Sequence, residues 1–155
     1  IKTRDMKRTY QAIVWGTPSP REGTIETLMG RDEKSRTKMA VLQEGGKKAI
    51  THYCVEKPLG LHNSLVECRL ETGRTHQIRV HMLHLGFPVI GDRTYRLKHM
   101  RMLELLSPEA RTLIETMPRQ ALHAYKLEFK CPSTSENMSF ICDLPKDMVE
   151  VITYL

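Results

Sequence analysis

Polar and apolar positions alternate along several separated stretches of the chain. In residues 8–15, Tyr10, Ala12 and Val14 share one parity, and Thr9, Gln11, Ile13 and Trp15 the other, the period-two pattern of a strand. The Gly-Thr-Pro-Ser-Pro run that follows ends it, because proline cannot donate to a ladder. Residues 23–28 read as a short strand and residues 29–38 as a polar, exposed loop. After the Gly45-Gly46 turn, residues 49–55 alternate again, residues 57–63 read as a turn, and residues 64–70 form a third clear strand with Val66, Cys68 and Leu70 facing one way. The period then changes. Thr75 is placed to cap a helix running to Leu85, with Ile78, Met82 and Leu85 toward the core and Gly86 as a left-handed stop. Ser107-Pro108-Glu109 is a second helix start, limited by Pro118. Residues 122–129 and 138–144 alternate as strands, and Met148, Val151, Ile152 and Leu155 form the apolar stripe of a last helix. These elements predict one α+β unit with a mixed, mainly antiparallel sheet and flanking helices.

Composition changes this picture at three points. The 155 residues, 40% hydrophobic and 27% charged, suffice for one domain with a real core. No run is long and apolar enough to cross a membrane as a helix, and the expected location is the cytoplasm. The net charge of +6 is concentrated in residues 1–48, which hold 11 Lys/Arg against 6 Asp/Glu; a basic first third fits a polyanionic partner or a solvated surface. Cys54, Cys68, Cys131 and Cys142 form no CxxC pair and fall in strand-like runs, so they read as buried free thiols of a reducing compartment.

The densest chemistry lies in residues 70–81, LETGRTHQIRVH, where a strand turns into a helix. Free backbone N–H groups and the helix dipole favour an anion there, and Arg74 adds a charged fork. Arg79 lies five positions on and points elsewhere on a helix. The two arginines therefore serve different partners, a phosphate for one and a carboxylate or base for the other, unless both make weak surface ion pairs. His81 and His84 share a helix face, but a third ligand at useful spacing is missing and there is no HExxH. They read as packed or hydrogen-bonded histidines, and no metal site is expected. Gly91-Asp92 reads as a turn rather than as chemistry.

The stretch LETGRTHQIRVHMLHLGFPVIGDRTY resembles the signature of the RluA-type pseudouridine synthases, with Val89 where isoleucine is usual after the proline. KRTYQAIVWGTPSPREG and RQALHAYKLEF with DLPKDMVEVI agree with two further family segments, so the likeness runs from Lys7 to Ile152. The resemblance implies the pseudouridine synthase fold and an enzyme that isomerises uridine in structured RNA, large-subunit ribosomal RNA above all, without cofactor or metal. It assigns Tyr10 as the tyrosine packing against the base and Arg79 as the arginine pairing with the catalytic aspartate. It places Lys7, Arg8, Arg74 and His76 toward RNA. It leaves the choice of uridine and the oligomeric state open.

One family feature is missing. The catalytic aspartate of the family sits in an HRLDxxTSG motif upstream of the Tyr10 strand, and none of Asp5, Asp32, Asp92, Asp143 and Asp147 follows Arg-Leu. With a start at Ile1 and no Met, the expectation is the C-terminal portion of one catalytic domain, inactive by itself and with part of its sheet uncovered. The competing reading is an RNA-binding module of the same fold without catalysis.

Overall fold

The computed structural model describes residues 6–97 and 101–155. Seven strands form one sheet: β1 (Lys7–Trp15), β2 (Glu22–Arg31), β3 (Met39–Leu42), β4 (Lys47–Leu59), β5 (Asn63–Leu70), β6 (Leu122–Lys130) and β7 (Asn137–Ile141). Their order is β3-β2-β4-β5-β1-β6-β7, and every pairing is antiparallel. Three helices flank it: α1 (Gln77–Leu85), α2 (Pro108–Thr116) and α3 (Lys146–Tyr154). A short 3-10 helix, Met102–Leu105, precedes α2. The α+β class and the mainly antiparallel sheet are as the alternation predicts.

β1 lies between β5 and β6. Both parities of its C-terminal half are buried, Ala12 and Val14 with Ile13 and Trp15. Ile78 and Met82 of α1, Ile114 of α2 and Met148 and Val151 of α3 belong to the same core cluster, so apolar residues of all three helices meet the strand. Two loops run beside it: Ile13 N–H donates to Ala121 O, Ile90 N–H to Ile13 O, and Trp15 N–H to Pro88 O. Below Ala12 the burial relaxes and Tyr10 is half-buried.

Four element boundaries differ from the sequence reading. Residues 29–38 are not one exposed loop: β2 continues to Arg31, Met29 is 1% exposed, and only residues 32–38 leave the sheet before β3. Charged neighbours hid a strand whose inward residues are few. Residues 57–63 are not one turn either, since β4 runs to Leu59 past a register shift between Val55 and Lys57. Its pairing with β2 stops at Cys54, so Pro58 sits where one side of the strand is free and its missing N–H costs no ladder bond. α1 is not capped by Thr75. Its N-cap is His76, left-handed at φ 57°, without a side-chain cap bond, whereas Gly86 closes it at φ 91° as expected. β7 ends at Ile141 rather than at residue 144, and its Phe140 is 53% exposed.

The cysteines need correction too. All four are free, but only Cys68 is buried; Cys54 and Cys142 are exposed, Cys131 is half-buried, and Cys131 and Cys142 lie just past their strands. Burial pushes the Cys68 thiol up to about 12. Near Cys131, hydrogen bonds from Ser133 and Thr134 bring the thiol down to about 6.

Candidate active site

The turn between β5 and α1 is tied to β4 by one side chain. Gln77 Nε2 donates to Ile50 O and to Thr51 Oγ1, both at 2.9 Å. Its Oε1 accepts from Thr72 Oγ1 at 2.8 Å and from Arg74 N at 2.9 Å. Thr72 Oγ1 in turn accepts from Ile50 N at 2.8 Å. Gln77 thus replaces a hydroxyl cap by folding back on the chain that precedes its helix, which leaves His76 free to take the left-handed conformation. A non-glycine residue held there is strained, and such strain concentrates at functional sites.

His81 lies one turn further along α1, fully buried. Its Nδ1 meets Thr51 Oγ1 and its Nε2 meets Thr27 Oγ1, each at 2.8 Å. Thr51 already accepts from Gln77, so the fully satisfied arrangement sends the Thr51 proton to Nδ1 and leaves the ring proton on Nε2 for Thr27. Burial, with His84 adding repulsion, drops this imidazole to about 4. His81 is a neutral strut between two strands, and with both nitrogens occupied it has none for a metal. His84 is exposed.

The two arginines of the motif part company, although Arg74 precedes α1 and the helical offset does not apply to it. Arg74 Nε donates to Lys48 O at 2.9 Å. Arg79 turns to the carboxylate of Asp92, with Nε–Oδ2 at 2.6 Å and Nη2–Oδ1 at 2.9 Å. The side chain of Asp92 is 0% exposed and that of Arg79 12%. Asp92 Oδ1 also accepts from the Thr94 and Tyr95 amides. Burial alone would raise the Asp92 carboxyl, but the Arg79 guanidinium and the two amides outweigh it and hold it below the usual range. The same pair raises Arg79 further. Asp92 does make the turn read from the sequence, and it also anchors Arg79, which that reading missed. The signal was present in the GDRTY segment, whose aspartate and tyrosine act together.

That tyrosine, Tyr95, is buried and touches four groups. The Arg79 guanidinium carbon stands 4.7 Å from its ring centroid, a cation–π contact. Its amide binds Asp92. Its hydroxyl accepts from Met39 N of β3 at 2.9 Å and lies 2.8 Å from His76 Nδ1. With the hydroxyl accepting from Met39, its own proton goes to Nδ1, so His76 carries its proton on Nε2. Desolvation, then the nearby Arg79 charge, lowers the His76 pKa and keeps the ring neutral.

Of the other residues singled out in the sequence, Tyr10 lies on the face of β1 that carries Ala12 and Val14 and packs against the core. A register shift falls beside it, with Thr9 opposite Lys126 and Tyr10 opposite Ala124; bulges of this kind re-aim side chains next to active sites. Arg8 shares that face and reaches the motif: a side-chain carbon at Gly73 would come within 3.0 Å of its Nη2. Lys7 is exposed and lines a separate hollow with Glu128 and Lys130. The structure therefore brings Arg8 and Arg74 to one turn, places Arg79 and His76 around Tyr95, and leaves Lys7 apart.

A sheet of this order, flanked by three helices among the described residues and carrying a basic strand-to-helix turn beside an anchored arginine, defines an α+β domain. Comparison with known proteins makes the class specific. The model of the RNA pseudouridylate synthase family matches residues 1–84. An RNA pseudouridine synthase of Chlorobaculum parvum is 48% identical over 154 residues, covering 96% of this chain and 47% of that protein. The ribosomal large subunit pseudouridine synthase D of Neisseria meningitidis is 41% identical over 155 residues, all of this chain and 40% of that one. Among solved structures, human RNA pseudouridylate synthase domain containing 1 superposes with a TM-score of 0.73 at 28% identity, over 92% of this chain and 56% of that chain. Human RNA pseudouridylate synthase domain containing 4 gives 0.74 at 24% identity, a likeness of fold. The chain belongs to the RNA pseudouridylate synthase family, in its RluA-type branch. It spans less than half the length of the curated relatives it matches.

Proposed function

We propose that residues 1–155 are the C-terminal part of a catalytic domain that isomerises uridine to pseudouridine in structured RNA, with large-subunit ribosomal RNA as substrate. The observation that carries this reading is the TGRTHQIR turn, fixed to β4 by Gln77 and aligned along its length with ribosomal large subunit pseudouridine synthases. The target base leaves its stack to reach the site. Tyr10 packs against it, at the point where β1 stops being fully buried. Asp92 binds Arg79 through Nε and Nη2, so Nη1 remains for a second carboxylate, the catalytic aspartate, which we place outside this chain. That aspartate attacks or deprotonates the nucleoside, the N1–C1′ bond breaks, the uracil turns, a C5–C1′ bond forms in its place, and the proton lost from C5 is balanced by one gained at N1, so the product is an isomer of uridine. Arg8, Arg74 and His76 meet the RNA, the last through its Nε2–H, with Lys7 contributing charge. The four free thiols fit a reducing compartment, and we place the protein in the cytoplasm.

The test uses the complete protein on ribosomal RNA isolated from cells that lack it. Pseudouridine is mapped by carbodiimide modification and primer extension. A new stop dependent on the protein is expected; RNA binding without any product would favour an RNA-binding module of the same fold.

A further inference from the structure

Beyond the arginine-to-aspartate pair, the opposite side of the TGRTH turn opens on a cleft of roughly 400 Å³ that the resemblance does not assign. Arg31 from the end of β2, Lys47 from the start of β4 and Arg74 line it, and no carboxylate does among the described residues. Its remaining walls are Gly30, Gly45, Gly46 and Gly73, with Met29, Met39 and Thr75. Gly46 is there because a Cβ would stand 2.9 Å from Met29 N and O. At Gly73 a Cβ would meet the Arg8 guanidinium at 3.0 Å, which places a further cation beside the turn. Both arginines of the cleft are held from behind by carbonyls: Arg31 Nη1 donates to Arg36 O and Arg74 Nε to Lys48 O, each at 2.9 Å. Anchored in this way, each keeps further N–H groups in a fixed direction without a carboxylate to neutralise them. Three cations from separate segments around a glycine-rich cleft are the chemistry that receives a phosphate.

We propose that this cleft holds a backbone phosphodiester of the RNA substrate, with Arg31 and Lys47 as binding residues. This rests on the reading of the protein as an RNA-modifying enzyme and says where the strand runs: from the Tyr10 side of β1, over Gly73, to the β2–β4 end of the sheet. It also gives part of the basic first third a specific task.

Arg31→Gln and Lys47→Gln, singly and together, remove the charges while keeping polar, similar-sized side chains. Lys146→Gln on α3, whose side chain is exposed and ion-paired to Glu150, serves as control. Binding of the complete protein to a ribosomal RNA fragment is measured across salt. The double variant is expected to bind ~5–20-fold more weakly at physiological salt and to lower the slope of log K against log salt by about 1, the loss of one phosphate contact. The control is expected to match the parent, and melting temperatures verify that the variants fold. An affinity and slope indistinguishable from the parent overturn the phosphate site, whatever the activity assay shows. Loss of binding in a protein that makes no pseudouridine leaves the site standing and removes the enzymatic reading. A parallel titration with inorganic phosphate distinguishes the source: if free phosphate saturates the cleft and the RNA slope does not depend on Arg31 and Lys47, the assignment to RNA falls.

Discussion

Asp92→Asn is the most informative single change in the site. It keeps shape and removes charge. In the parent, both carboxylate oxygens accept, Oδ2 from Arg79 Nε, and Oδ1 from Arg79 Nη2 and the Thr94 and Tyr95 amides. The amide of Asn retains one acceptor and turns an NH₂ group toward a donor. With the NH₂ at the Oδ2 position one hydrogen bond becomes a clash of donors, at the Oδ1 position three do, and in both cases Arg79 stays buried without its counter-charge. Breaking a buried pair from one side costs ~3–5 kcal/mol, which in a domain of this size lowers the melting temperature by roughly 2–4 °C per kcal/mol. Arg79→Met alone strands the carboxylate and costs a similar amount. The double variant Arg79→Met with Asp92→Asn leaves no buried charge stranded, keeps an acceptor for the Thr94 and Tyr95 amides, and is expected to be more stable than either single variant. Thermal melts followed by circular dichroism at neutral pH and fixed salt supply the cycle. Additive single and double effects, with a coupling under about 0.5 kcal/mol, would show that the pair is not a coupled unit and refute the reasoning. Activity discriminates further: the double variant, although folded, is expected to be inactive because its guanidinium is gone.

Three further outcomes follow from neighbouring groups. Tyr10→Phe in the complete protein is expected to slow single turnover by ~10²–10⁴, the usual worth of a hydroxyl in proton transfer, while changing RNA affinity far less; near-parental rates would reduce Tyr10 to packing. His81 is a base whose folded pKa lies near 4 against ~6.5 unfolded. The unfolded chain therefore takes its proton first, stability is full above pH 6.5, and about 3 kcal/mol is lost as pH falls toward 4. In His81→Gln, this acid-dependent loss measured by denaturant titration should largely vanish. Tyr95→Phe keeps the stack on Arg79 but removes the hydroxyl, so the ¹⁵N signature of His76 should change from a pure Nε2–H tautomer to a mixture; an Nδ1–H tautomer in the parent would contradict the assigned hydrogen bonds.

Much of the fold was legible because β1 and β5 are short β-prone runs bounded by turn residues, with partial alternation before both faces become buried, and because Ser107-Pro108 and Gly86 carry local start and stop chemistry. The misreadings have one cause. β2 and β4 extend into charged or proline-containing sequence because neighbouring strands extend with them, and that pairing is a tertiary fact. The N-cap failed for a related reason. Thr75 is the residue that local propensity selects, but Gln77 reaches β4 and settles the turn without it. In the site, the separation of Arg74 from Arg79 was expected from a shared helix, but Arg74 precedes α1 and it is the turn before the helix that sets the two apart. Asp92 and Tyr95 were hidden because their partners lie 13 and 19 residues away. The cleft between Arg31 and Arg74 joins residues no spacing rule would connect.

The last prediction concerns the aspartates, of which Asp5 lies outside the described residues. Asp92 is fully committed to Arg79 and two amides. Asp147 binds Arg119, and Asp32 caps the amide of Lys34 in the β2–β3 turn. Asp143 is exposed just past the end of β7. None of these four is a free carboxylate held against Arg79. Since positioning of the reacting groups supplies ~7–11 kcal/mol in reactions of this kind, a carboxylate that merely diffuses nearby does not substitute. Residues 1–155 are therefore expected to bind ribosomal RNA in a salt-dependent way and to form no pseudouridine, with product appearing when an aspartate-bearing segment of a whole family member is supplied, fused or in trans. The chain is purified, its folding is checked by circular dichroism, and its RNA is probed with carbodiimide. Product from the chain alone, surviving Asp92→Asn, would place the chemistry on a residue other than an aspartate held by Arg79 and overturn the division of labour derived above.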